Sequence, residues 1–374
     1  MTAPEPGGDD RAHLERAIEL ARRGWGRVHP NPMVGCVIVR EGRRVGEGWH
    51  EVFGGAHAEV RALEDAGEAA RGATAYVSLE PCRHVGKTPA CTAALLRSGI
   101  ARVVYGAADP GPESGGGGDE LRAAGLEVVG PLLDAAEAWR ENPAFHHTHR
   151  HHTPFVAVKL ATSLDGRLAE AAGHRTALTG GDALHEVHRL RAGFDAVVVG
   201  SATARVDDPL LTVRSGVPMR RPPVRVVLDG GARLRSDAAL FEDVPDVPVW
   251  VFVRDDTPEA ELERLEAAGA VVHPVPAAAG GEGVDLGAVT AVAWDAGLRS
   301  LLCEGGGRLA ASFLRGGRAR RLYLFLAPRI LGEEGVSAYP GLELTEAAGG
   351  WIPAGEPRRL GRDVLLVWDR PEGA

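Results

Sequence analysis

His57-Ala58-Glu59, Pro81-Cys82 and Cys91 are the residues of this chain best equipped to do chemistry. One imidazole and two thiols supply three of the four ligands of a tetrahedral zinc ion. A fourth position left to water distinguishes a catalytic zinc from a structural one. Zinc supplies Lewis acidity that turns water into a nucleophile near neutral pH. A carboxylate two residues from the histidine can carry the protons. H-x-E followed by P-C and a second cysteine is the order used for hydrolytic deamination of a base. A lone H-x-E would read as a helix surface, but the joint motif outweighs that reading. A structural zinc closed by His84 as fourth ligand is the rival.

Eight residues separate Cys82 from Cys91: Arg83-His84-Val85-Gly86-Lys87-Thr88-Pro89-Ala90. A cation and an imidazole beside a metal suit an anionic or polar substrate. The other two cysteines, Cys36 and Cys303, sit in apolar runs and read as small buried hydrophobes. Four cysteines in 374 residues are too few for a disulfide framework and point to a reducing, cytoplasmic setting. The first ten residues lack a cationic start and an apolar core, so they read as a disordered tail rather than a signal peptide. No apolar run reaches membrane-spanning length. A net charge of -9 and an aromatic content of 5% argue against nucleic-acid binding, which needs basic faces and stacking platforms. The expected partner is a small molecule, with no nucleic acid and no membrane, and a homo-oligomer is compatible with the composition.

The elements that must position these residues alternate between helix and strand. Residues 11–23 have helical spacing. Residues 34–40 and 43–48 read as strands joined at Glu41-Gly42. A helix is expected over 57–66, a strand over 73–79, a helix over 91–98 and a strand over 101–106. Residues 109–119, with four consecutive glycines, read as a flexible connector. A short helix at 121–124 and a strand at 126–129 follow. Residues 132–152 carry His146, His147, His149, His151 and His152 and read as a solvated linker, not a metal site. A second alternating unit then begins. Strands are expected at 155–160, 196–200, 224–229, 249–253, 271–272, 300–304 and 322–327, and helices at 182–191, 258–268, 286–296 and 308–314. Alternation of this kind gives two α/β domains, at 11–150 and 151–374.

Asn31 in Val28-His29-Pro30-Asn31-Pro32-Met33-Val34-Gly35, His50 in Gly46-Glu47-Gly48-Trp49-His50, and the stretch 79–91 together resemble the bifunctional riboflavin-biosynthesis deaminase/reductase family. The resemblance implies a cytidine-deaminase-like α/β/α domain followed by a dihydrofolate-reductase-like α/β domain. It implies His57, Cys82 and Cys91 as Zn2+ ligands and Glu59 as the proton shuttle. Asn31, His50, His84 and Lys87 would surround the base and its phosphoribosyl group. Ala56, Arg83 and Ala90 depart from a common Pro, Ser and Pro.

In the second half, residues 158–167, 188–192, 199–203, 207–214 and 304–310 continue the match. The resemblance implies that Lys159 and Asp207 lie at the reacting sugar and nicotinamide. Arg191, Leu211, Arg214 and Glu304 would contact substrate, and Ala161, Thr203, Asp207, Gly305, Gly306 and Gly307 would contact NADPH. Glycines before a helix let backbone amides approach a phosphate, although no G-x-G-x-x-G is present. Arg175 stands where the family has a substrate-contacting Ser, and Ala177 where it has a cofactor-contacting Trp. The expected reactions are zinc-dependent deamination of 2,5-diamino-6-(5-phosphoribosylamino)pyrimidin-4-one, then NADPH-dependent reduction of the ribosyl group to ribityl. The alternative is a deaminase whose reductase-like domain is not catalytic.

Overall fold

A computed structural model of the chain describes residues 7–84, 89–214, 216–342 and 350–370. Two compact units divide it: Met1–His151 with Pro218–Arg220, and His152–Val217 with Arg221–Ala374.

In the first unit, α1 (Asp10–Ala21) precedes the hairpin of β1 (Gly35–Arg40) and β2 (Arg43–Trp49). Glu41 and Gly42 turn the hairpin with φ of 51° and 74°, the left-handed pair that matches strand twist. Then come α2 (Ala58–Ala66), β3 (Thr74–Leu79), α3 (Cys91–Ser98), β4 (Arg102–Ala107), α4 (Gly117–Ala123) and β5 (Glu127–Val129). The sheet order is β2-β1-β3-β4-β5. β1 runs antiparallel to β2 and β3, and β3, β4 and β5 are parallel. Helices cover both faces: one apolar cluster joins Ala58, Ala62 and Leu95 to Ile38 and Val77, and another joins Ala17 and Leu20 to Val37 and Val104.

Glycines set how closely the helices approach. A Cβ on Gly48 would stand 2.4 Å from Ala62 N and 2.6 Å from Ala58 O, and one on Gly46 would stand 2.4 Å from Ala62 O. Only a bare backbone at both positions lets α2 lie on β2. That contact fixes the start of α2, where His57 and Glu59 sit.

Three expectations are corrected here. Residues 132–152 are not a solvated linker but two helices, α5 (Ala135–Glu141) and α6 (Pro143–His151). Asp134 and Glu137 form a capping box at the start of α5. Asn142 takes a hydrogen bond from Met33 N and gives one to Met33 O. His147 is buried, and its ring lies 4.7 Å from that of His151, one helical turn on. The glycine-rich stretch is not a loose connector either: Gly115, Gly117 and Gly118 are packed, and helix α4 begins at Gly117. The expected tail overlaps α1, whose first residue, Asp10, is buried and bound to Arg102 by two bonds of 2.8 Å.

The second unit starts with β6 (Phe155–Thr162), β7 (Arg167–Ala169), α7 (Gly181–Ala192), β8 (Ala196–Gly200) and α8 (Ser201–Asp207). It continues through β9 (Val224–Leu228), β10 (Val249–Arg254), α9 (Glu259–Ala267), β11 (Val271–Val275), α10 (Leu286–Asp295), β12 (Ser300–Cys303), α11 (Gly307–Arg315) and β13 (Ala319–Leu326). β14 (Val336–Ser337), β15 (Ile352–Pro353), β16 (Arg358–Leu360) and β17 (Asp363–Asp369) end the described chain. The main sheet runs β11-β10-β9-β8-β12-β6-β13-β17-β15. The seven strands from β11 to β13 in that order are parallel, and β17 is antiparallel to β13. The strands buried on both faces are runs of Val, Leu and Ala (Ala196 to Val199, Leu301 to Cys303), as a covered parallel sheet requires. β12 lies between β6 and β8, so chain order reverses there. Such a point leaves a crevice outside the carboxyl ends of the strands.

Candidate active sites

In the first unit, Nδ1 of His57 and the sulfurs of Cys82 and Cys91 all lie within 4.8 Å of one another. The imidazole is 3.2 Å from Cys91 Sγ and 3.5 Å from Cys82 Sγ. Tetrahedral zinc with bonds of about 2.1 Å to nitrogen and about 2.3 Å to sulfur sets ligand atoms about 3.6–3.8 Å apart. The three donors therefore fit zinc with little movement. They form the one such group of three among the described residues.

Each ligand is held by a different element. His57 is the N-cap of α2 rather than part of it, with extended backbone (ψ 163°). Cys91 is the first residue of α3. Cys82 follows β3, and its carbonyl accepts a bond of 3.2 Å from Thr92 N–H, which ties it to α3. Hydrogen bonds from Cys91 and His57 lower the Cys82 thiol to about 4. The hydrogen bond to Cys82 raises His57 against the effect of burial, and the Glu59 charge adds to the rise. Cys82 is the thiol that ionises first, and the hydrogen bond Cys91 makes to it, with burial adding to the effect, pushes the Cys91 thiol upward. A thiolate beside an imidazole is a soft donor set, which suits zinc.

Glu59, two residues into α2, is 3% exposed. Burial pushes its carboxyl up to about 7, and the Cys82 charge adds to the shift. His50 stands edge-on to His57, ring centroids 5.4 Å apart. Its Nδ1 bonds Ala56 O at 3.1 Å and its Nε2 bonds Asn31 Nδ2 at 3.3 Å. The carbonyl requires a proton on Nδ1, so Nε2 accepts from the Asn31 amide. Burial keeps His50 neutral by lowering its pKa. Asn31, His50, His57, Glu59, Cys82 and Cys91 thus share one neighbourhood. His84 is half-buried near them, with Nδ1 buried and unbonded. Lys87 lies outside the described residues.

In the second unit, Lys159 and Ala161 project from β6, Glu304 follows β12, and Thr203 and Asp207 lie on α8 after β8. All three strands are neighbours at the reversal point. Arg191, at the end of α7, grips Glu304 with bonds of 2.6 and 3.0 Å and donates to Thr212 O at 2.9 Å. Burial opposes charge on Glu304, yet Arg191 holds its carboxyl below the usual range. Burial lowers Lys159, while Glu304 and Asp207 act against the shift. Burial raises Asp207, with Arg175 and Lys159 opposing. Charge interactions therefore link Lys159 to Asp207, Glu304 and Arg191, and Asp207 to Arg175. Leu211 is buried with φ of 52°, a costly conformation for a branched side chain.

Gly306 N–H donates to Thr203 Oγ1 at 3.0 Å, joining two of the expected cofactor contacts. A Cβ on Gly305 would meet Leu309 at 2.7 Å, and one on Gly307 would meet Ala338 O at 2.7 Å. These glycines let the start of α11 pack closely, while above Gly306 the nearest atom to a built Cβ is Thr203 Oγ1 at 3.4 Å. An open backbone turn at a helix start fits a dinucleotide phosphate. Ala177 is exposed, and its carbonyl accepts from Arg329 at 3.3 Å. Arg214 is exposed at its side chain, while its N–H donates to His188 Nδ1 at 3.2 Å. The sequence reading gave His188 no role. It is 2% exposed, and the charges of Arg191, Arg214 and Glu304 all act on it. Its position three residues before Arg191 on α7 was the available signal.

A model of the RibD C-terminal domain matches residues 154–351, more than half of the chain. The chain belongs to the RibD family. A model of the cytidine and deoxycytidylate deaminase zinc-binding region matches residues 8–107. Riboflavin biosynthesis protein RibD of Escherichia coli (strain K12) is 38% identical over 372 residues, covering 96% of this chain and 98% of that protein. The RibD of Aquifex aeolicus (strain VF5) is 40% identical over 326 residues, 87% of this chain and 88% of that protein. Among solved structures, Acinetobacter baumannii RibD superposes with a TM-score of 0.81 at 33% identity, over 97% of this chain and 99% of that one. A Thermotoga maritima diaminohydroxyphosphoribosylaminopyrimidine deaminase/5-amino-6-(5-phosphoribosylamino)uracil reductase gives 0.80 at 32% identity, over 97% and 99%. The RibD family sets the fold of both units: a cytidine-deaminase-like α/β/α domain, then a dihydrofolate-reductase-like α/β domain. The cofactors are Zn2+ and NADPH.

Proposed function

We propose that the chain deaminates 2,5-diamino-6-(5-phosphoribosylamino)pyrimidin-4-one and then reduces the ribosyl side chain of the product to ribityl. The chain is a bifunctional riboflavin-biosynthesis enzyme. The observation that carries the deaminase half is the convergence of His57, Cys82 and Cys91 beside the buried Glu59.

In the first reaction, water adds to the ring carbon that bears the amine, and ammonia leaves. His57, Cys82 and Cys91 would hold the zinc, which when bound would supply Lewis acidity at that water. Glu59 accepts the water's proton and delivers protons to the ring nitrogen and the departing amine. The Asn31–His50 pair fixes the amide so that its oxygen is free to orient the base. In the second reaction the anomeric carbon is reduced, its bond to the ring oxygen opens and that oxygen takes a proton; NADPH, which Thr203 and the turn at residues 305–307 would hold, would supply the hydride. Lys159 is the acid placed for that proton, because burial weakens its hold on it. Arg191 and Glu304 hold one another, so Arg214 and Arg175 are the arginines free to meet the substrate phosphate.

Residues 11–150 carry the first reaction and 151–374 the second. Among the described residues, no helix is long and apolar enough to cross a membrane, and all four cysteines are free thiols. A small-molecule enzyme of the cytoplasm is the reading we propose. The test measures ammonia release and NADPH oxidation on the same protein. His57→Ala abolishes the first and keeps the second on deaminated substrate, and Lys159→Ala does the reverse. A Lys159→Ala protein that still oxidises NADPH at the wild-type rate refutes the role given to Lys159, and a wild-type protein that oxidises no NADPH on deaminated substrate refutes the reductase assignment.

A further inference from the structure

The ligand Cys82 sits on a short irregular segment between β3 and α3, and something must hold it there. Zinc ligands are as precise as the elements that carry them. His57 and Cys91 are anchored at helix starts, but Pro81-Cys82 is not part of any helix or strand.

The segment 108–118 supplies the missing support. The Glu80 carboxylate is buried, 9% exposed. It accepts from Gly118 N–H at 2.9 Å with one oxygen and from Asp109 N–H at 3.2 Å with the other. Those donors stand at opposite ends of the segment. On the far side of Pro81-Cys82, Arg83 N–H donates to Ser114 O at 3.2 Å, and its guanidinium reaches Pro112 O at 3.3 Å. Between these anchors the backbones touch. A Cβ on Gly117 would fall 1.8 Å from Pro81 O and 3.1 Å from Thr92 Cγ2. No side chain fits there. The segment is closed on itself by Gly115 N–H to Gly111 O at 2.9 Å and Gly111 N–H to Asp109 Oδ1 at 2.8 Å.

We propose that residues 108–118 form a clamp on Pro81-Cys82, with Glu80 as the positioning residue that closes it and Gly117 as the contact that sets its depth. The clamp acts through Cys82 on the metal and touches neither metal nor substrate itself. Arg83, which stands where the family commonly has Ser, adds a second grip through its guanidinium. The inference rests on the deaminase reading of the site.

Two variants test it in the full-length zinc protein: Glu80→Gln and Gly117→Ala. Glutamine keeps one acceptor oxygen but turns an N–H2 toward the second backbone N–H, so one anchor opens. Alanine drives a methyl into the Pro81 carbonyl. Supporting groups around metal ligands change affinity or activity by about 10–100-fold. Three readouts are compared with wild type: zinc affinity by competition with a chromophoric chelator, the visible spectrum of the Co2+-substituted protein, and both enzyme activities. The expected result is zinc affinity reduced about 10–100-fold, an altered thiolate-to-cobalt band, reduced deaminase kcat, and unchanged NADPH oxidation. Wild-type zinc affinity and cobalt spectrum in both variants overturn the clamp, even where deaminase kcat falls. Loss of both activities in Glu80→Gln also overturns it, because Glu80 would then hold the fold rather than the ligand. If Gly117→Ala does not fold, Glu80→Gln decides. Wild-type deamination and zinc binding stand apart from either variant, so failure of the clamp leaves the deaminase reading intact.

Discussion

Replacing Glu304 by glutamine removes one charge and almost no volume from the second unit. Glu304 and Arg191 are bonded at 2.6 Å, with 7% and 10% of their side chains exposed. Two unit charges about 4 Å apart attract by about 4 kcal/mol at an effective dielectric constant of 20. Stranding one member of a buried pair costs about 3–5 kcal/mol, and the hydrogen bond a glutamine oxygen retains returns about 1 kcal/mol. The net loss expected for the unit is about 3 kcal/mol. Its pH dependence follows from the depressed carboxyl. A group with a lowered folded pKa stabilises fully above its unfolded value and loses that contribution as pH falls through the folded value. The gap between wild type and Glu304→Gln is therefore full at pH 7, still full near pH 5, and closes below about pH 4. Urea unfolding at a series of pH values, followed by hydrogen exchange in α7 and β12, measures it. NADPH oxidation falls with the pair, and ammonia release does not. A variant as stable as wild type at pH 7, or a gap that persists unchanged to pH 3, refutes the assignment of Arg191 and Glu304 as a stabilising charged pair.

Three further outcomes are open to measurement. Gly48→Ala forces a methyl to within 2.4 Å of Ala62 N. Overpacking of this kind costs about 1–3 kcal/mol, and the displaced α2 takes Glu59 out of place, so ammonia release falls sharply while NADPH oxidation survives. Asp10→Asn removes the carboxylate that Arg102, Gly7 and Tyr76 hold down to about 2. Wild type should be the more stable above pH 3.8, with the difference gone near pH 2, as read by acid unfolding. Ala177→Trp restores the flat side chain that the family resemblance places against the nicotinamide. A stacking contact worth about 1 kcal/mol lowers the KM for NADPH about fivefold, and an unchanged KM would show that residue 177 does not face the cofactor.

Much of the fold was legible because its strands are period-2 or fully apolar runs bounded by turn residues. Cys91 to Ser98 and Ala196 to Gly200 were placed to the residue. The failures share a cause. Residues 132–152 are polar by composition, but helices α5 and α6 are held by a capping box and by Asn142, and single-residue polarity reports neither. The four consecutive glycines of 115–118 read as looseness by the same logic. In the fold their missing side chains are what permits contact, since Gly117 lies where no Cβ fits. A glycine run carries two opposite meanings, and only the neighbour across space decides between them.

The sites divide along similar lines. Residue type and spacing pointed to His57, Cys82 and Cys91, whose ligand atoms lie within 4.8 Å of one another, and to Glu59, which is buried, because metal chemistry demands particular atoms and few other residues provide them. Partnership was not legible. Arg191 and Glu304 were both read as reaching for substrate, yet each satisfies the other across 113 positions. Two residues of opposite charge in one pocket neutralise each other before they meet a ligand, unless geometry keeps them apart. On the proposed reading, Arg214 and Arg175, both exposed, are the cations left for a phosphate. Substituting either by alanine should raise the KM for phosphorylated substrate more than it lowers kcat. Substituting Arg191 should cost stability first. If Arg191→Ala instead raises KM with stability intact, its bond to Glu304 is one that substrate displaces, and the pair is a gate for the phosphate rather than a brace.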